Sequence, residues 1–217
     1  MRLLVINPNT SPGVTARIDA AAQDAAQPGD HFTTLCPAYG PELIVTQADA
    51  DQANRAVVDT ARDYSAPLDG IVLASFGNTG ATDVSALRPD IPVIGIAQAA
   101  FHAVRSIGGP FGIVTFGKAL VPGLQAETEK ENLREALLGI SYLPSTDFGD
   151  PATVQQRYHA DLAALCHEMQ NRGAASIVMG GGPLAGLASR LSSEISIPLI
   201  DGTQAAIEMI RSLHNKS

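Results

Sequence analysis

The chain repeats itself once. DGIVLASFGNTG runs from Asp69 to Gly80, and SIVMGGGPLAG begins at Ser176. Ile71 and Ile177 stand 106 positions apart (177 minus 71). The same offset carries Ser75 to Gly181, Gly80 to Gly186, Ile91-Pro92 to Ile197-Pro198, and Gln98-Ala99-Ala100 to Gln204-Ala205-Ala206 without a gap. A repeat of this kind means one supersecondary unit used twice. Within it, Ile71, Val72 and Leu73 form an apolar run that breaks into Ser75, Gly77, Asn78 and Gly80. That pattern is a buried strand entering a tight polar loop. Two such copies facing each other set two strand-end loops on one cleft, and function is expected there.

At 217 residues the chain has room for one large domain or two small ones, and the repeat favours two. Hydrophobic residues at 45% against 17% charged suit a protein with a sizeable core. The balance of 22 acidic to 14 basic residues gives −8, with no Lys/Arg cluster. That argues against nucleic acid or an anionic membrane as partner, though not against a small anionic substrate. Cys36 and Cys166 are the only cysteines, with no CxxC spacing and no disulfide framework. The opening MRLLVINPNTS reads directly as a strand, its apolar run being too short for a signal peptide. No apolar run approaches a membrane span, so a cytoplasmic protein is expected.

Taken in order, residues 3–6 are a strand ending at Asn7-Pro8-Asn9-Thr10. Ser11-Pro12 is an N-cap and first-turn pair that starts a helix to about residue 26. A strand over 31–35, a helix over 48–64, strands over 71–74 and 91–96, and a helix over 98–107 follow. Gly108-Gly109-Pro110 ends that helix. The second half starts again, with a strand over 111–115, a long polar helix to about 138, a strand over 140–143 and a loop over 144–150. A helix over 151–172, strands over 176–179 and 197–200, a helix to about 192 between them, and a last helix ending near 213 complete it. Strands alternating with helices imply parallel βα units and an α/β fold of two pseudo-symmetric, doubly wound halves.

The polar loop after the first strand either receives a ligand oxygen on its amides and helix N-terminus or simply makes a turn. Ligands in open α/β sheets bind at strand ends, which favours the first reading. The glycines at 180–182 lack the GxGxxG spacing, and no P-loop is present. They let the loop pass close to its twin, bring bare N–H groups near a ligand, or do both. Ser75 stands at a strand end. As a nucleophile it needs a base, and His102, on the following helix, is the candidate, although no GxSxG elbow surrounds Ser75. His102 lies among Ala99, Ala103 and Val104, where a packed histidine is the plainer reading. His159, Cys166 and His167 share one helix without i, i+4 ligand spacing, so no metal site is expected. Cys36 precedes a proline at the same end of the sheet, as a buried small residue or a reactive thiol.

NPNTS after the first strand, Ser75-Phe76-Gly77-Asn78, GIAQAAFHA at 95–103, GGGPLAGLA and IDGTQAA at 200–206 carry a resemblance to the aspartate/glutamate racemase superfamily, and within it to the hydantoin racemases. The resemblance covers nearly the whole chain and keeps the motif order. It implies two α/β domains, one of residues 1–97 plus 205–217 and one of 98–204, with the site between them. It implies a small-molecule substrate, no cofactor and a homo-oligomer. Such racemases resemble two-base enzymes in which a cysteine from each half flanks the substrate carbon. Here those two positions hold Ser75 and Gly181, and Gln98 stands where relatives often carry an acid. Arylmalonate decarboxylases of the superfamily also lack one of the pair but keep the other. The pocket implied for a carboxylate or cyclic amide comprises Asn7, Thr10, Ser75, Asn78, Thr79, Thr115, Gly181, Gly182 and Pro183. Three readings follow: an isomerase-type enzyme on a small carboxylate or hydantoin-like ring; a hydrolase or lyase using Ser75 with His102 and an oxyanion site near Gly181 and Gly182; or a protein that binds a small acid without chemistry.

Overall fold

A computed structural model of the chain describes residues 1–145 and 149–215. The first half runs β1 (Arg2–Ile6), α1 (Pro12–Asp24), β2 (His31–Leu35), α2 (Gln47–Asp63), β3 (Gly70–Leu73), α3 (Ala81–Leu87), β4 (Val93–Gly95) and α4 (Ile96–Ile107). The second runs β5 (Phe111–Thr115), α5 (Val121–Lys130), β6 (Leu137–Tyr142), α6 (Val154–Arg157), α7 (His159–Asn171), β7 (Ser176–Gly180), α8 (Leu187–Leu191), β8 (Leu199–Asp201) and α9 (Gly202–His214). Among the described residues the strands form two parallel four-stranded sheets, ordered β2-β1-β3-β4 and β6-β5-β7-β8. One order is the other renumbered, which is the internal repeat expressed as topology.

Local chemistry sets several boundaries. Ser11 Oγ accepts the Val14 N–H and Pro12 occupies the first turn of α1. Thr46 and Asp49 exchange hydrogen bonds in a capping box that starts α2. The central strands β3, β5 and β7 are buried at every residue, as parallel strands covered on both faces require.

Two helices, α4 and α9, do not stay with the sheets they follow. α4 leaves the first sheet, yet Ala97, Ala100, Phe101 and Val104 pack with Phe111, Ile113, Val178 and Ile200 of the second. α9 leaves the second sheet, yet Ala206, Ile207 and Ile210 pack with Leu3, Val5, Val72 and Ile94 of the first. Phe101 meets Phe111 edge to face, with ring centroids 6.1 Å apart.

Three expected elements differ. The polar helix expected to reach 138 ends at Lys130, because Asn132 turns left-handed (φ 55°), and 137–142 is strand instead. The helix expected over 151–172 is broken at Tyr158 (φ −121°, ψ 27°) into a 3-10 turn, α6 and α7. α4 begins at Ile96 rather than 98, directly on the last strand residue Gly95. In the loop expected over 144–150, residues 146–148 lie outside the described residues, as do 216–217 of the last expected unit.

Asp30 ties α9 to the first half. Its carboxylate accepts the Met1 ammonium at 2.7 Å and Arg211 Nη2 at 2.7 Å. Burial opposes the charge, but the ammonium, the Gln27 N–H and Arg211 outweigh it and hold the pKa down at about 2.

Phe101→Ala is expected to cost about 3–5 kcal/mol in urea unfolding, because the ring is fully buried between the halves. The Asp30 carboxyl has a folded pKa below its unfolded value, so its contribution is complete above about pH 5. It is expected to fall away toward pH 2, by on the order of 2 kcal/mol, in wild type but not in Asp30→Asn when thermal stability is measured against pH.

Candidate active site

The loop after β1 is shaped by its own amides. Asn7 Nδ2 donates to Asn9 Oδ1 and to Thr15 Oγ1, each at 2.9 Å, and Ser11 N–H donates to Asn9 Oδ1 at 3.0 Å. Asn7 is fully buried, and its side chain is committed to the loop rather than presented to a ligand. Thr10 is different. Its N–H is held by the Pro41 carbonyl, while its hydroxyl has no hydrogen-bond partner among the described residues.

The loops after β3 and β7 come together. A Cβ on Gly182 would lie 3.4 Å from Val14 Cγ1 and Ile18 Cδ1, and 3.9 Å from the Ala74 carbonyl oxygen. The second loop therefore rests on α1 and against the residue before Ser75. Ser75 is buried; its hydroxyl bonds Thr79 Oγ1 at 2.8 Å and accepts the Gly77 N–H at 3.2 Å. In the second loop, the Thr115 hydroxyl donates to the Gly180 carbonyl at 2.6 Å, so Thr115 fixes the end of β7. Gln155 Nε2 donates to the carbonyls of Pro183 (2.9 Å) and Ala185 (2.7 Å), holding the same loop from behind.

Gly181 has φ 128°, a conformation open to glycine. A Cβ there would come 3.0 Å from Phe116 Cε1. The ring of Phe116 thus stands where a side chain of residue 181 would point. Around both loops backbone donors are left over. The N–H groups of Phe76, Thr79, Gly181 and Gly182 have no acceptor among the described residues. Such donors suit an oxyanion or carbonyl oxygen.

Each loop ends on a left-handed glycine that starts a helix, Gly80 (φ 81°) before α3 and Gly186 (φ 81°) before α8. Both N–H groups are capped, by different residues. Gly80 donates to Asn54 Oδ1 at 2.8 Å, and Gly186 donates to Asp201 Oδ2 at 2.6 Å. Asp201 also accepts from Thr203 and Gln204. Burial pushes its carboxyl up, against those three N–H bonds that favour the charge. Asn78, itself left-handed at φ 51°, donates its side-chain amide to Glu127 of α5, which also pairs with Lys130.

His102 does not join this arrangement. It is exposed on α4, and the partners of the Ser75 hydroxyl are Thr79 and Gly77. His159 and His167 are exposed while Cys166 points into the core, so those three do not converge. Burial pushes the Cys166 thiol up to about 12, far from a reactive thiolate. Cys36 is half-buried in the loop after β2. Of the expected site residues, Ser75, Asn78 and Thr79 lie on the loop after β3 and Gly181, Gly182 and Pro183 on the loop after β7. Sequence reading missed Phe116, Asn54, Glu127 and Gln155, which act over long sequence separations and carry no local motif. Asp201 was visible only as the residue opening α9.

A family model described as Asp/Glu/Hydantoin racemase matches residues 3–210. A hydantoin racemase of Paenarthrobacter aurescens is 31% identical over 219 residues, covering 98% of this chain and 91% of the relative. An allantoin racemase from Klebsiella pneumoniae has the same fold with a TM-score of 0.89 at 30% identity, over 99% of this chain and 88% of that one. Arylmalonate decarboxylase shares the fold at a TM-score of 0.69 and 18% identity, over 98% of this chain and 92% of that one. This chain belongs to the Asp/Glu/hydantoin racemase family.

Proposed function

We propose that the protein is a cofactor-independent, isomerase-type enzyme that takes a small hydantoin-like cyclic amide or carboxylate between the β3 and β7 loops. The reaction in this reading is proton transfer at the substrate α-carbon. The observation that carries this reading is the set of backbone donors without acceptors among the described residues where the two loops meet. Ser75 places a hydroxyl on one side, while Gly181 offers no side chain and is backed by Phe116 on the other. The unpaired N–H groups of Phe76, Thr79, Gly181 and Gly182 would hold the carbonyl or carboxylate oxygen that gains charge when the α-proton leaves. The hydroxyl of Thr10 is a further candidate donor.

The site lies, in this reading, between two units, residues 1–97 plus 205–217 and residues 98–204. The packing of α4 on the second sheet and of α9 on the first supports that division. A cytoplasmic homo-oligomer belongs to the same reading. The Ser75 hydroxyl has a second hydroxyl and an amide as partners, and no base. That weighs against a hydrolase and favours, as the second reading, a protein that binds a small acid without turning it over.

Proton NMR in D2O with single enantiomers of 5-substituted hydantoins tests both readings. Isomerisation is expected to erase the α-proton signal and the optical rotation together. Exchange with the rotation retained would show transfer on one face only and count against an isomerase. Saturable binding without exchange would favour the binding protein, and new product signals would show a hydrolase or lyase.

Restoring thiols on both sides meets a structural obstacle. Gly181→Cys, alone or with Ser75→Cys, is expected to lower unfolding free energy by about 1–3 kcal/mol, because the φ of 128° resists a side chain and Phe116 must move. Ser75→Cys alone is expected to remain within about 1 kcal/mol of wild type.

A further inference from the structure

We propose that Glu127 is a positioning residue for the Ser75 loop, acting from the other half of the chain through Asn78. The proposal rests on the reading that the β3 loop binds and turns over substrate. Glu127 lies on α5, after β5, and is 4% exposed. A buried carboxylate is retained only with partners. One oxygen pairs with the exposed Lys130, one turn away, and the other accepts the side-chain amide of Asn78, 49 positions earlier.

The Asn78 amide is held at its nitrogen by Glu127 and seated at its oxygen against Gly95. Its Oδ1 lies 2.5 Å from where a Cβ of Gly95 would stand, so Gly95 makes the space that the amide occupies. Its backbone is left-handed, which asparagine tolerates better than most residues but which still needs support. Holding Asn78 holds the next residue, and the Thr79 hydroxyl is bonded to that of Ser75 at 2.8 Å. A route of direct contacts therefore runs from Glu127 through Asn78 and Thr79 to Ser75. The facing loop has no such link. Leu184 stands at the position equivalent to Asn78 and is buried in the second core. Glu127 is therefore the group by which the second half sets the geometry of the first half's loop.

The test compares wild type with Glu127→Ala, Glu127→Gln and Lys130→Ala. The first readout is amide hydrogen exchange by NMR without ligand, so it does not depend on any activity. The N–H of Gly80 is bonded to Asn54 and that of Ala81 to the Asn78 carbonyl, and both report on the loop. Glu127→Ala is expected to accelerate exchange at Gly80 and Ala81 while leaving Gly186 unchanged. Glu127→Gln keeps an oxygen for the Asn78 amide and is expected to stay near wild type, as is Lys130→Ala. The second readout is the Kd of a 5-substituted hydantoin. It is expected to weaken about tenfold in Glu127→Ala and to remain within about threefold in Glu127→Gln, the scale of one charge-assisted hydrogen bond. Exchange at Gly80 and Ala81 equal to wild type in Glu127→Ala would overturn the proposal. So would acceleration shared equally by Gly186, which would mean general loosening. If exchange changes as expected but no hydantoin or carboxylate binds even the wild-type protein, the positioning role stands and the functional reading falls.

Discussion

The site depends on how closely the second loop approaches the first half. Gly182 has no side chain, and the chain around it settles against Val14, Ile18 and the Ala74 carbonyl. Parallel βα units send the ends of all their strands the same way, so each half on its own offers only its own strand-end loops. Only when the two halves are packed do those loops share one space. The packing is secured away from the loops, by α4 lying on the second sheet and α9 on the first. Neither helix can leave its place without exposing the core of the other half. The relation of Ser75 to Gly181 therefore rests on buried apolar side chains between the halves as well as on the contacts at the loops.

The two halves share a backbone plan and differ in side chains. Gly80 and Gly186 take the same left-handed conformation and begin equivalent helices. The backbone demands an acceptor for each N–H, and the chain supplies one from α2 in the first half and from the end of β8 in the second. Gly95 and Asp201 occupy equivalent positions, but a side chain at 95 would collide with Asn78. Once Asn78 fills that space, Asn54 must cap Gly80. Where Leu184 replaces Asn78, the space is open for Asp201 to serve Gly186 and α9 together. Each difference between the halves thus entails the next, and the result is a cleft whose two walls are chemically distinct.

What sequence alone revealed follows the range of the interactions concerned. The repeat, the strand order of βα units and the glycine loops are written in residues close together, and the main elements fall where hydrophobic runs, Ser11-Pro12 and the Gly108-Gly109-Pro110 stop place them. The end of α5 was missed because a single asparagine, Asn132, terminates a stretch whose composition still suits a helix. The break at Tyr158 was missed because Gln155 is drawn to Pro183 and Ala185, a bond between residues 28 and 30 positions apart. Asn7 and Thr115 look like ligand groups in sequence, since a buried polar residue at a strand end suggests binding. In the fold their hydrogen-bonding capacity is spent on loop shape and strand end. His102 was placed near Ser75 by order along the chain, but the face of α4 that carries it points to solvent.

Phe116 bears on how the glycine at 181 should be understood. Glycine in place of a side chain at 181 would leave a void on that wall, and voids in packed interiors are costly. Here the Phe116 ring, buried in the second core, occupies the direction a side chain would take. The backbone at Gly181 also adopts a conformation that a β-carbon resists. Two independent features, one of packing and one of conformation, therefore agree that this wall is built without a side chain at 181.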